Sequence, residues 1–197
     1  MLKVGITGNI GSGKTWACRI FQSLGISVFY ADKEAVALYL DPNIRQQVVD
    51  AFGDDIYVSG VLNRKKLASV VFSDPKALAL INAIIHPAVM KKYQQWITLH
   101  EDQEYTLHEA AIIFEHHLER ELDLVINVSA PESIRLRRVM KRDGISEEEV
   151  LNRMKNQWSD ERKNEMADFV IVNDGAEDVI DQIQTIHQQI IEKNKQK

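Results

Sequence analysis

The run Gly8-Asn9-Ile10-Gly11-Ser12-Gly13-Lys14-Thr15 fits the spacing Gly-x4-Gly-Lys-Ser/Thr. It follows Leu2-Lys3-Val4-Gly5-Ile6-Thr7, which reads as a buried strand, and a helix begins near Gly13. Glycines let the backbone curl so that successive N–H groups converge on an anion. The helix then brings its positive dipole end beneath the same point. In that setting Lys14 reaches the β- and γ-phosphates of a nucleotide, and the Thr15 hydroxyl meets Mg²⁺. Strand, loop and helix in this order make the stretch a nucleotide-phosphate site.

Downstream, residues 16–21 carry helical spacing and Gly25 ends that helix. Ile26-Ser27-Val28-Phe29-Tyr30 is strand-like, with Asp32 just beyond its carboxyl end. Residues 33–100 read as a helical insertion. Asp41-Pro42 and Asp74-Pro75 each set a capping residue ahead of a proline, and Gly53-Asp54-Asp55 and Ser59-Gly60 read as turns. Residues 104–107 and 124–128 are expected as the third and fourth core strands. Their near-continuous apolar runs suit strands covered on both faces. Pro131 opens a helix, Ser146-Glu147-Glu148-Glu149 is a capping box, residues 167–172 form a last strand, and a final helix runs to a polar tail at 193–197 that is expected to fray. Alternating strands and helices imply an α/β protein: a three-layer parallel sheet with its ligand crevice at the carboxyl ends of the strands.

The composition bounds the partners. A formal charge of -5 over 197 residues argues against a general nucleic-acid binder, but not against an anionic ligand held in a local nest. Cys18 is the only cysteine, so no internal disulfide forms, and it reads as a packed small hydrophobe. No signal pattern precedes the first strand and no apolar run approaches the roughly 20 residues that span a bilayer. The expectation is a cytoplasmic protein without membrane association.

Several side chains are candidates for chemistry. Asp32 either orients or deprotonates an attacking hydroxyl, or caps a helix beginning at Lys33. Arg135, Arg137, Arg138, Lys141 and Arg142 are dense for an acidic protein, and Arg153, Arg162 and Lys163 follow. As a group they suit a lid that stabilises charge on a transferring phosphoryl group. Singly, each suits a solvated face paired with Glu132, Glu147 or Glu148. His108-Glu109 begins like a zinc-protease helix, but Ile112 occupies the position of the second ligand. His86, before Pro87 at an expected helix start, reads first as structural. Glu115 follows the third strand, where a buried carboxylate needs a partner; an exposed or arginine-paired role is the default. Trp96 and Trp158 read as packing anchors.

With these residues in view, the chain resembles the dephospho-CoA kinases over nearly its whole length. The resemblance rests on residues 5–14, Ala31-Asp32, Gly60-Val61-Leu62-Asn63-Arg64 with Leu67 and Val71-Phe72, and Ile81-Asn82-Ala83-Ile84-Ile85-His86-Pro87. It continues through Ile112-Ile113-Phe114-Glu115, residues 138–143, Arg153, Gln157, residues 167–171 and Asn173-Asp174-Gly175. The phosphate loop alone is shared by many kinases; the ordered set is more discriminating. The resemblance implies a P-loop NTPase-type kinase core of residues 1–32 and 101–197, with a lid at about 138–163. Residues 33–100 become a helical insertion that binds the acceptor. It also implies transfer of the ATP γ-phosphoryl to the ribose 3′-hydroxyl of dephospho-CoA. On that pattern Gly8, Asn9, Ile10, Gly11, Ser12, Gly13, Lys14, Thr15 and Trp16 hold ATP, with Thr15 on Mg²⁺. Asp32 is the base or hydroxyl-orienting group, and Arg138 and Arg142 face the phosphates. Arg64, His86 and Glu115 fall on the acceptor side, and Asn173 and Gly175 lie near adenine.

Three positions depart from the pattern. Val36 stands where an arginine is frequent, Ala111 where a proline is common, and Trp16 where the residue is usually small. The rival readings are another small-molecule P-loop kinase, a GTPase switch and a non-catalytic scaffold. The switch is disfavoured because the sequence has no Asn-Lys-x-Asp, and the scaffold because Lys14, Thr15 and Asp32 are all present.

Overall fold

The structure, a computed structural model, describes residues 1–196, with the side chain of Phe72 outside the description. In chain order the elements begin with β1 (Leu2–Thr7), the glycine loop, α1 (Lys14–Ser23), β2 (Val28–Tyr30), α2 (Ala31–Leu38) and α3 (Pro42–Phe52). The strands β3 (Tyr57–Val58) and β4 (Val61–Leu62) and the helices α4 (Arg64–Ser73) and α5 (Pro75–Thr98) come next. Then come β5 (Tyr105–Glu109), β6 (Leu124–Ser129), α6 (Glu132–Asp143), α7 (Glu147–Met154), α8 (Asp160–Met166), β7 (Phe169–Val172) and α9 (Val179–Lys195). The chain divides into two compact units, residues 1–30 with 100–197 and residues 31–99.

The first unit is built on a parallel sheet of five strands among the described residues, in the order β2-β5-β1-β6-β7. β1 lies in the middle because Val4 and Ile6 are buried completely and the strand is covered on both faces. Ala17, Cys18 and Phe21 of α1 pack into this core, as do Val179, Ile183, Ile186 and Ile190 of α9. The four α9 positions recur at three- and four-residue spacing, the apolar stripe of an amphipathic helix. Register sets Ile6 beside Glu109 and Thr7 beside Asn127, so the residues flanking the glycine loop come from β5 and β6. The sequence of the chain runs to opposite sides of β1, which makes its carboxyl end a topological switch point.

His108 lies in this sheet rather than in any metal set. Its ring tilts against Phe29 at 5.4 Å, and burial pushes its pKa down to about 4, so it is neutral near pH 7. The tail is helical through Lys195, and the end of the stretch expected to fray, Lys197, lies outside the described residues.

The second unit is organised along α5, whose buried Ile81, Ile85, Val89, Tyr93 and Ile97 recur every four residues. Asp41 and Asp74 cap α3 and α5 as the sequence indicates, accepting from Asn43 N and Ile44 N and from Lys76 N. Two expectations are corrected and a third is extended. Pro87 does not start a helix: it lies inside α5, with His86 one position earlier and half-buried. The ring removes the N–H that would meet the Ala83 carbonyl, and the burial of five apolar residues on either side outweighs that loss. The helix after β2 begins at Ala31, so Asp32 lies exposed within its first turn instead of capping a start at Lys33. Ser59-Gly60 is more than a turn: it joins β3 to β4 in a hairpin, with φ of 50° and 83° at its two central residues.

Candidate active site

The glycine loop curls as its sequence requires. Gly11 and Gly13 have φ of 82° and 103°, a region that favours glycine. Space also resists a side chain at both, against backbone at Gly11 and against the end of a side chain at Gly13. A Cβ on Gly11 would lie 2.6 Å from the Arg135 carbonyl oxygen, and one on Gly13 would lie 2.2 Å from Asn173 Nδ2. Among the described residues no side chain caps α1, so its first turn presents backbone N–H groups at the carboxyl end of β1. The Trp16 N–H donates to the Gly13 oxygen at 2.9 Å, and the Trp16 ring is 46 % exposed. The indole therefore finds room by facing solvent. Lys14 Nζ folds back to donate to the Gly8 oxygen at 2.8 Å.

From one side the loop is braced by α6 and the segment after β7. Asn173 Nδ2 donates to the Ser12 oxygen at 2.7 Å, and Arg138 Nη2 donates to Asn173 Oδ1 at 3.2 Å. Arg138 Nη1 reaches the Gly11 and Ser12 oxygens at 3.4 Å each. Arg138 thus touches the loop, while Asn173 commits both ends of its amide to protein. Gly175 lies exposed in the turn that follows, where Asp174 accepts from Ala176 N. Arg135 is buried and donates to the Ala130 oxygen at 2.9 Å, so it anchors α6. Arg142 is elsewhere: its guanidinium forks onto Asp143 at 2.7 and 3.1 Å, and Arg153 meets the same carboxylate at 3.0 Å. No Arg135, Arg138 or Arg142 pairing with Glu132, Glu147 or Glu148 occurs among the described residues. Exposed pairs like Arg142–Asp143 contribute only ~0–1 kcal/mol, so a phosphate can displace the partner.

A second brace comes from residues to which the sequence reading assigned no part in the loop. The Ile10 N–H donates to Gln157 Oε1 at 2.8 Å, and Asn9 Nδ2 donates to the Trp158 oxygen at 3.1 Å. The Trp158 N–H in turn donates to Glu115 Oε1 at 3.0 Å. Glu115, which sequence had placed toward the acceptor, is only 10 % exposed, and Lys163 Nζ lies 2.8 Å from the same oxygen. Lys163 is fully buried and also donates to the Ala111 oxygen at 3.0 Å. Burial lowers its pKa from the ordinary lysine range. Glu115 opposes that shift and the charge of Lys14 adds to it. Removing one member of such a buried pair costs about 3–5 kcal/mol. The Arg162 guanidinium covers the Trp158 ring at 3.3 Å, so this tryptophan stacks on a cation as well as packing. The clue in sequence was the carboxylate at 115, which needed a cation; the cation is a lysine, not an arginine.

Asp32, Arg64 and His86 belong to the second unit. Asp32 and Arg64 are exposed in the first turns of α2 and α4, and His86 is half-buried on α5. Among the described residues no three His, Cys, Asp or Glu side chains cluster in a way that holds a metal ion. Thr15 is exposed in the first turn of α1. One hydroxyl there suits Mg²⁺, which takes one or two protein oxygens plus phosphates and water rather than a cage of carboxylates. No helix among the described residues is long and apolar enough to cross a membrane.

The bracing gives a direct prediction. Gly13→Ala would force Asn173 off the Ser12 oxygen and strain a backbone at φ 103°, at a cost of about 1–3 kcal/mol. Thermal unfolding is expected to show a midpoint several degrees lower, with weaker nucleotide binding by titration. An unshifted midpoint would mean that the loop relaxes freely.

Comparison with known proteins agrees in one direction. The dephospho-CoA kinase family description matches residues 2–178. A dephospho-CoA kinase of Bacteroides fragilis is 37 % identical over 183 residues, 92 % of this chain and 89 % of that one. Among solved structures, a protein from Thermus thermophilus is similar at a TM-score of 0.88 and 32 % identity, covering 95 % of this chain and 96 % of that one. The dephospho-CoA kinase of Campylobacter jejuni is similar at 0.71 and 25 % identity, covering 98 % of each chain.

Proposed function

The chain belongs to the dephospho-CoA kinase family, and from that premise we propose how its own residues carry the reaction. The protein is an ATP-dependent kinase that moves the γ-phosphoryl group of ATP to the ribose 3′-hydroxyl of dephospho-CoA. This gives coenzyme A and ADP, the final step of coenzyme A synthesis. The observation that carries the residue assignment is the curled loop at the carboxyl end of β1, braced by Arg138 and Asn173.

In our reading, residues 8–16 hold the triphosphate and Lys14 leaves the Gly8 oxygen to meet it. Mg²⁺, when bound at Thr15 and the phosphates, neutralises part of their charge. Arg138 stays at the loop and adds positive charge beside the transferring group. Arg142 exchanges Asp143 for a phosphate oxygen. Asp32 orients the acceptor hydroxyl or takes its proton, a role for which an exposed carboxylate in a helix's first turn is suitably accessible. Residues 31–99, with Arg64 and His86, serve the acceptor, and Asn173 and Gly175 border the adenine. Glu115 supports the acceptor side without touching the acceptor, because Oε1 is committed to Trp158 and Lys163 and Oε2 is buried. The lid is the segment at about residues 138–163 with its arginines. We place the protein in the cytoplasm, acting on small molecules and not on nucleic acid, as its acidic balance favours.

The test is an ATP-dependent assay of dephospho-CoA beside AMP, CMP and adenosine, with products identified by mass. Phosphorylation of dephospho-CoA at the 3′ position, with the other acceptors unreacted, is the expected result. Equal turnover of AMP or CMP would remove the acceptor assignment from residues 31–99.

A further inference from the structure

Among the described residues Lys163 is the one buried lysine, and nothing in the transfer itself requires a cation where no ligand can reach it. An apolar residue of similar volume would close the same space without desolvating a charge. What the ammonium does have is a set of partners that lead, in three bonds, to the phosphate loop. It holds Glu115 Oε1 and the Ala111 oxygen, so it fixes the segment after β5. Glu115 Oε1 also takes the Trp158 N–H, which fixes the turn between α7 and α8. That turn supplies the Trp158 oxygen to Asn9 and the Gln157 side chain to the Ile10 N–H. Both of those contacts fall on the first half of the glycine loop, the half that Arg138 and Asn173 do not touch.

We propose that Lys163, with Glu115, is a positioning residue for ATP: the buried pair holds Gln157 and Trp158 so that the phosphate loop is preformed before nucleotide arrives. The inference rests on the reading of residues 8–16 as the triphosphate site. It has a chemical corollary inside the loop. The Ile10 N–H is already bonded to Gln157, so the anion-binding amides begin at Gly11. It also limits the lid. Residues 157–163, expected from sequence to lie within it, belong with the loop's support. A preformed loop binds phosphate without first ordering its backbone, which is where the affinity gain lies.

Two variants test this, with ATP binding measured by titration calorimetry and both Michaelis constants measured by steady-state assay. Gln157→Leu removes only the bond to Ile10 from a half-buried turn, so folding is retained. It is expected to weaken ATP binding about fivefold with an unchanged thermal midpoint. Lys163→Met is expected to weaken ATP binding more than tenfold and to lower the midpoint. In both variants the KM for dephospho-CoA stays within twofold of the parent. A purely structural lysine would lower the active fraction, hence kcat, and leave the KM for ATP unmoved. Parent-like ATP affinity in both variants, or equal rises in KM for both substrates, overturns the proposal. Failure of the parent itself to bind ATP would instead overturn the reading of the loop.

Discussion

Lys14→Ala is expected to lower turnover by about 10³-fold or more and to weaken ATP binding at least tenfold. The size follows from what the ammonium faces. In the structure it donates to the Gly8 carbonyl oxygen at 2.8 Å. In our reading it exchanges that neutral acceptor for phosphate oxygens, and charge-assisted bonds are roughly twice as strong as neutral ones. Loss of one preorganised donor at a site of developing charge typically costs ~10²–10³ in rate. The ground-state contact to ATP disappears along with it. Folding is not the cause, since alanine is the best helix former at the first position of α1 and the substitution removes a like charge that acts on Lys163. Steady-state kinetics, nucleotide titration and a melting curve on the same preparation separate these effects. Unchanged ATP affinity would remove Lys14 from the phosphate site.

Asp32→Asn is expected to reduce turnover by about 10²–10⁴-fold while ATP affinity stays within about twofold of the parent. Asparagine keeps the shape and can still accept a hydrogen bond, but it neither takes a proton nor strengthens the acceptor oxygen as a nucleophile. The carboxylate also interacts with the amino end of α2, a contribution of about 0.3–1 kcal/mol at an exposed position. That is too small to unfold the protein and far below the several kcal/mol implied by the expected rate loss. Equal turnover in the variant would assign Asp32 to the helix alone. A parallel loss of ATP affinity would move it to the nucleotide side.

The readable parts of the sequence were those whose causes are local. The loop at residues 8–15 was legible because its glycines are needed within six residues of one another, and the capping box at Ser146 and Glu149 because both halves lie within one turn. Core strands were legible as apolar runs, to within two residues at their ends. His86 was misplaced because a proline signals a helix start unless flanking burial holds the helix through it, and that burial is tertiary. The Ser59-Gly60 hairpin joins strands of two residues each, too short to show alternation. The second brace of the loop was out of reach for a related reason. Gln157 and Trp158 meet Ile10 and Asn9 across 147 and 149 residues, and Trp158 meets Glu115 across 43. No periodicity links such positions; only the sheet order brings them together.

The central place of β1 bears on how the chain is made. Its hydrogen-bonding neighbours are β5 and β6, which end at Glu109 and Ser129. A ribosome making this chain exposes a strand carrying Leu2, Val4 and Ile6 that has one edge open until Glu109 emerges and the other until Ser129 does. At ~5–20 residues per second this lasts on the order of 10 s. Residues 31–99 are continuous and can close on themselves in the meantime, whereas the unit that holds the phosphate loop cannot. The residues of β1 are therefore made well before their final partners. During that interval Val4 and Ile6 are a natural target for whatever protects nascent chains from pairing edge to edge.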